Sequence, residues 1–167
     1  MGLFTKDIKS VTDLFNHQLK DIYYAERRIY AALEKMIQKA KSPELRSAFE
    51  KHRGETKTHM ARLEQAFQLL GLQAEAVTCP AIDGIIKEAD EVAGEIADER
   101  VLDAALIANA QAVEHYEMSR YGTLVAWARQ LGRDDVAALL KDNLGEESAT
   151  DKKLTEITEA RANRIAA

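Results

Sequence analysis

Apolar residues recur at helical spacing along most of the chain. The first run carries Leu14, Leu19, Ile22, Ile29, Leu33 and Ile37 and fades near Lys41. Ser10, followed three residues later by Asp13, predicts its start. Ser42-Pro43-Glu44 predicts the next start: a capping serine, a proline at the first helical position and an acid in the first turn. The seam of that second helix holds Leu45, Ala48, His52, Glu55, His59, Leu63, Ala66 and Leu70, and Gly71 ends it. Residues 71 to 97 break the rhythm. Cys79-Pro80 marks an extended turn, and Ala81 to Gly94 predict a short helix with Ile82, Ile85 and Ile86 on its apolar face. A third long helix is expected from about Asp98 to Leu131, closed by Gly132. A fourth is expected from near Asp134, with Val136, Leu140, Glu147, Leu154 and Ile157 on its seam, fraying towards Ala167.

The links set the expected topology. Long helices one and two are joined by a few residues, and so are three and four, so each pair should form an antiparallel hairpin. One long connection joins the hairpins and contains the short extra helix. The expectation is an all-α chain, one domain over residues 1–167, in the ferritin-like variant of the four-helix bundle.

Composition narrows the class without changing that picture. Charged residues make up 31% and apolar ones 46%, with only two prolines and eight glycines, which suits long amphipathic helices better than sheets. The net charge of −5 argues against a general nucleic-acid surface. No apolar run is long enough for a membrane span, and the stretch Met1 to Lys6 has no signal-peptide core. A single cysteine, Cys79, excludes an internal disulfide, and a cytoplasmic location is the expectation. Cys79 itself is expected to be a loop or small core residue.

The apolar stripes contain acids, and these carry the candidate chemistry. Glu117 lies on the stripe of the third long helix, with Glu114 one turn before it. Such carboxylates are costly unless a cation or a proton offsets them. Counting from the hairpin turns gives their heights. Glu26 lies 14 residues before Ala40 and Glu55 lies 12 after Pro43, or about 21 and 18 Å along the axis. Glu117 lies 14 residues before Leu131 and Glu147 lies 13 after Asp134, heights within about 2 Å of each other. His59 follows Glu55 by four residues and Asp151 follows Glu147 by four, a spacing that keeps each pair within about 40° on its helix.

The expected metal ligands are therefore Glu26, Glu55, His59, Glu114, Glu117, Glu147 and Asp151, with His52 a rival to His59 one turn earlier. Glu114 as a flank residue, Asp151 as a salt-bridge partner and either histidine as a core residue remain open. Carboxylates with imidazole suit Fe, Mn or Zn, and the number of acids suits two divalent ions. Glu146 and His17 read as surface residues, and His115 as a supporting or surface group. Tyr24, Tyr30, Tyr116 and Tyr121 read as packing residues near the same height. Gly54, Gly122 and Gly145 interrupt helices close to these positions, at about 1 kcal/mol each against alanine. Close backbone approach or a local helix distortion is the expected reason.

At this point the chain resembles a known family. Tyr24-Ala25-Glu26, His52-x-x-Glu55-Thr56, Val113-Glu114-His115-Tyr116-Glu117, Tyr121-Gly122-Thr123-Leu124, Glu146-Glu147, Ala149-Thr150-Asp151 and Lys153-Leu154-Thr155 are similar to the YciF/YciE-type bacterial stress proteins of the ferritin-like superfamily, over about residues 10 to 160. The resemblance implies a di-iron fold, two iron ions per subunit, a homodimer and a role in stress response. It departs from the superfamily's Glu-x-x-His pattern: the second helix reads Glu55-x-x-x-His59 and the fourth Glu147-x-x-x-Asp151. Two functions are expected from this. In one, bound Fe(II) reacts with oxygen or peroxide, with Glu55 and Glu147 as bridging ligands. In the other, the bundle is a non-catalytic dimeric or partner-binding scaffold with a structural metal such as Zn. Neither nucleic acid nor membrane is an expected partner.

Overall fold

The computed structural model describes residues 8–166, with side chains to residue 160. It contains five helices: α1 Val11–Lys39, α2 Pro43–Leu69, α3 Pro80–Glu95, α4 Glu99–Gln130 and α5 Asp134–Ala166. No strand occurs among the described residues. No helix among them is long and apolar enough to cross a membrane.

The ends of the helices follow from local chemistry. The Ser10 hydroxyl accepts from the Asp13 N–H at 3.0 Å and opens α1. Asp98 does the same for α4, accepting from the backbone of Arg100 at 2.8 Å. Gly71 and Gly132 close α2 and α4 at φ +69° and +71°, a left-handed turn that favours glycine. The chain then folds back, Leu72 N–H onto Phe67 C=O and Arg133 N–H onto Ala128 C=O, satisfying carbonyls that the helix end leaves free.

One expected cap is absent. Ser42 precedes Pro43, but its hydroxyl makes no capping bond. Asp103 of α4 instead fixes the turn before α2: its buried carboxylate accepts from the backbone N–H of Lys41 at 2.8 Å and of Ser42 at 2.9 Å. The α1–α2 connection thus depends on a residue about sixty positions away. Asp103→Ala leaves two donors without their acceptor, and we expect a loss of roughly 3 kcal/mol. Urea denaturation reads this as a lower midpoint at unchanged slope.

Four long helices touch in a closed ring, α1 on α2, α2 on α5, α5 on α4 and α4 on α1, while α3 lies against α1 and α4. Long-range bonds set the directions. The pairs Arg62–Asn143, His52–Thr150 and Glu44–Lys153 run α2 against α5. Asp103 at the far end of α1, with Tyr116 reaching Asp21, runs α4 against α1. Asp83 meets Tyr24 and Arg28, and Asp90 meets Lys35 and Lys39, so α3 runs parallel to α1. It carries the chain back along the ring, which lets α4 start at the same end as α2. The core between the four helices is built of Phe15, Leu19, Ile22, Phe49, Leu63, Phe67, Leu124, Leu140 and Leu154, all buried.

Candidate metal centre

Midway along this apolar interior every long helix turns polar. Glu26 is inward-facing on α1. On α2 the buried residues His52, Thr56 and His59 follow one another at steps of four and three. On α4 Glu114, Glu117 and Tyr121 do the same at steps of three and four, and on α5 Asn143, Glu147 and Thr150 at four and three. These steps keep each set within one helix face. Apolar residues flank the polar layer along each helix: Ile22 and Ile29, Leu63, Val113 and Leu124, Leu140 and Leu154.

Two groups of donor atoms form there, each with its atoms within 4.8 Å of one another: Glu26, His59 and Glu147 in one, His52, Glu114, Glu117 and Glu147 in the other. Glu147 belongs to both. His59 Nδ1 stands 2.8 Å from Glu147 Oε1 and 3.4 Å from Glu26 Oε1. His52 Nε2 stands 3.1 Å from Glu114 Oε1 and 3.6 Å from Glu147 Oε2. Yet His52 Nε2, His59 Nδ1, both Glu117 oxygens, both Glu147 oxygens, Glu26 Oε2 and Glu114 Oε2 have no hydrogen-bond partner. The atoms are close but do not point along one another's N–H directions. Buried polar atoms left in this state are rare and costly. Convergence on common points, rather than pairing, is how ligand atoms surround an ion.

The opposite side of each ring is held. His59 Nε2 meets Glu146 Oε2 at 2.8 Å, and Arg62 clamps that carboxylate with bonds of 2.7 and 3.0 Å. His52 Nδ1 meets the Thr150 hydroxyl at 3.2 Å, with Glu55 Oε2 behind it at 3.8 Å. The inward nitrogens, Nδ1 of His59 and Nε2 of His52, are thereby aimed at the acids, the arrangement by which outer partners orient metal-binding imidazoles. Tyr121 donates to Glu26 Oε1, and the Asn143 amide donates to the Tyr121 oxygen at 3.0 Å.

Without a cation, protons must moderate the charge. Burial opposes a charged His59, but Glu147 and Glu26 beside it hold its pKa up at about 10. His52 is likewise disfavoured by burial, and Glu114 still raises it well above the usual imidazole value. Burial, then the charges of Glu147, Glu26 and Glu114, raise Glu117 well above a normal carboxylate. Burial lifts Glu147 to about 8, opposed by His59. A cation that displaces these protons takes over the same task.

Six of the eight residues expected from the sequence come together: Glu26, His52, His59, Glu114, Glu117 and Glu147. The two rival histidines, His52 and His59, both face the centre. Glu55 and Asp151 are not in either group. The Glu55 carboxylate is 21% exposed, with Oε1 on Lys51 and Oε2 behind His52. The His52 imidazole, against the effect of burial, and then Lys51 hold its pKa down to about 2. Asp151 accepts from Gln111 at 3.0 Å and lies 3.3 Å from the exposed His115. Glu146, expected at the surface, instead supports His59. Of the four tyrosines only Tyr121 lies in the centre; Tyr24 donates to Asp83, Tyr116 to Asp21, and Tyr30 stacks under Arg53. The interior glycines do not mark close approach either: a Cβ at Gly54, Gly122 or Gly145 would meet nothing within 4 Å.

Fold and site define a class: an all-helical protein with a buried histidine–carboxylate cluster able to hold a metal ion. Comparison with known proteins places it more closely. The family described as a domain of unknown function, DUF892, matches residues 10–167, and the chain belongs to that family. It is 41% identical to Protein YciF of Escherichia coli K12 over 161 residues, covering 96% of this chain and 97% of YciF. The crystal structure of YciF, described as an E. coli stress protein, superposes with a TM-score of 0.90 at 41% identity, covering 93% of this chain and 99% of that one. YcfI from Rhodopseudomonas palustris, provisionally assigned as a structural protein, is 55% identical with a TM-score of 0.89, covering 92% and 98%.

Proposed function

We propose that the chain is a ferritin-like di-metal carboxylate protein acting in bacterial stress response. Its centre takes two divalent ions, iron in the first place, and oxidises Fe(II) with oxygen or peroxide. The observation that carries this reading is the set of buried donor atoms without hydrogen-bond partners, in two groups that share Glu147. Ring contacts among four long helices and the crossover through α3 support the ferritin-like assignment. So does the donor count. Four carboxylates and two imidazoles are the complement of the ferritin-like di-metal sites, although both imidazoles here come from α2 rather than one from each of two helices.

The roles of the residues follow from their positions. Glu147, common to both donor groups, would serve both ions; Glu26 and His59 would complete one site, and His52, Glu114 and Glu117 the other. Tyr121 fixes the orientation of the Glu26 carboxylate, and Glu146 with Arg62 fixes His59. The apolar flanks keep bulk water out, which strengthens every interaction inside. Metals of this kind supply one-electron chemistry when bound.

Protein loaded anaerobically with Fe(II) is expected to consume oxygen or peroxide on exposure, in proportion to bound iron. The R. palustris relative favours a second reading, a structural role in which the metal stabilises the helices. Under that reading metal raises thermal stability while neither oxidant is consumed. The homodimer is proposed on resemblance, and light scattering tests it as twice 18.6 kDa.

A further inference from the structure

The inner acids and both imidazoles of the centre are at most 2% exposed. An ion must therefore cross a barrier to arrive. The surroundings of the donors differ in chemistry from side to side.

On the α1, α3 and α4 side a narrow cavity of about 40 Å³ reaches Glu114. Its walls are Ile29, Leu33, Ile86, Leu106 and Val113, and Lys35 and Lys39 stand at its rim. A divalent ion gains nothing there: apolar walls cannot replace its water, and the rim acid, Asp90, is already paired with Lys35 and Lys39. Beside His59 the way is closed differently. Glu146 is the outer acid, but the Arg62 guanidinium clamps it with bonds of 2.7 and 3.0 Å, a fixed positive charge at the threshold.

The third side is the open groove between α2 and α5. The small side chains Ser47, Ala48 and Ala149 leave it wide, and its floor is Glu55 and Thr150. Glu55 differs from every other acid near the centre. Its side chain is 21% exposed, and its outer oxygen is tied only to Lys51, itself 70% exposed. Its inner oxygen is buried, has no hydrogen-bond partner and lies 3.8 Å from His52 Nδ1. His52 in turn presents its other nitrogen to Glu114 and Glu147. Water, Glu55, His52 and the inner acids thus form one continuous series of donors. An ion can exchange its hydration shell stepwise along it.

We infer that the α2/α5 groove is the route by which divalent cations reach the centre, with Glu55 as the transfer ligand at its floor and the His52 ring as the next donor behind it. This rests on the metal-binding reading proposed above. A transfer ligand lowers the barrier in both directions, so it sets the rate of uptake and leaves the final affinity nearly untouched. A resident ligand sets affinity.

The test is stopped-flow absorbance with Co(II) as the probe, beside an equilibrium titration of the same proteins. Glu55→Gln is expected to slow Co(II) uptake about tenfold or more, while still reaching full occupancy at saturating Co(II). Ala149→Phe, which narrows the groove without altering charge, is expected to slow uptake in the same way. Asp151→Asn, a change at an equally exposed acid outside the groove, is expected to leave the rate at wild-type level. Uptake unchanged in both groove variants overturns the inference. So does a Glu55→Gln protein whose affinity falls about tenfold while its association rate holds: Glu55 then acts only by holding metal or by orienting His52. Wild-type protein that takes up no Co(II) at all contradicts the metal centre itself, and the route falls with it.

Discussion

Glu147→Ala is expected to empty both halves of the centre at once. Loss of an outer partner alone lowers metal affinity by about 10–100-fold. Glu147 is common to both donor groups, so its removal should cost at least about 100-fold at each. The metal-free protein should respond in the opposite sense. Burial raises the Glu147 pKa to about 8, which is the mark of a carboxylate that the fold tolerates poorly when charged. Removing it relieves that burden, offset in part by a small cavity. Glu147→Gln keeps the volume and, by relieving a buried acid at the cost of its contact with His59, should be more stable than wild type without metal at pH 7. With metal it should be the less stable of the two. Paired denaturation curves with and without Co(II) read both signs. A variant destabilised equally in both conditions would mean that Glu147 serves packing rather than an ion.

The second large effect is the dependence of the metal's contribution on pH. Metal at a thousandfold excess over its dissociation constant stabilises by about 4 kcal/mol, and chelation removes that. In the metal-free protein the pKa values of His59 and Glu147 are raised, to about 10 and about 8. A raised folded-state pKa contributes stability that is complete below the unfolded value and lost as pH climbs through the folded value. For Glu147 the loss runs from about pH 4.5 to 8, and for His59 from about 6.5 to 10. Metal-free protein should therefore weaken steadily from pH 6 to 9. Metal competes with these same protons, so its affinity rises over that range. The gap in melting temperature between metal-loaded and chelated protein should widen from pH 6 to 9. A constant or narrowing gap would mean that bound metal does not displace the protons of this cluster.

Much of this architecture is legible in the chain. Ser10, Pro43, Gly71, Asp98 and Gly132 mark helix ends through local backbone chemistry, and the structure ends its helices within a residue or two of them. Height along a helix is also countable, and Glu26, Glu117 and Glu147 meet as their distances from the turns require. Rotation about the axis is harder to count. Glu55 lies about 60° round from His52, which turns it towards the groove, while Thr56 takes the inward place beside the two histidines. Asp151 lies about 40° round from Glu147, on the side where Gln111 and His115 receive it. An offset of this size separates a residue that faces the centre from one that faces its rim. The seam as a whole fixes which, and four-residue spacing alone does not.

Contacts between helices distant in sequence leave no local mark at all. Glu146 is a surface acid by its position on α5, and becomes a support for His59 only because Arg62 of α2 is brought alongside it. Asp103 is an acid on an apolar stripe with no evident reason until the turn at Lys41 and Ser42 is seen above it. Such residues become intelligible only once packing supplies their partners.

An anomalous-scattering map of crystals grown with Fe(II) or Co(II) bears on the di-metal centre without intermediaries. Two peaks flanking the Glu147 carboxylate are expected, one beside Glu26 and His59, the other beside His52, Glu114 and Glu117. No peak in the interior at saturating metal, or peaks confined to surface acids such as Asp151, would contradict it.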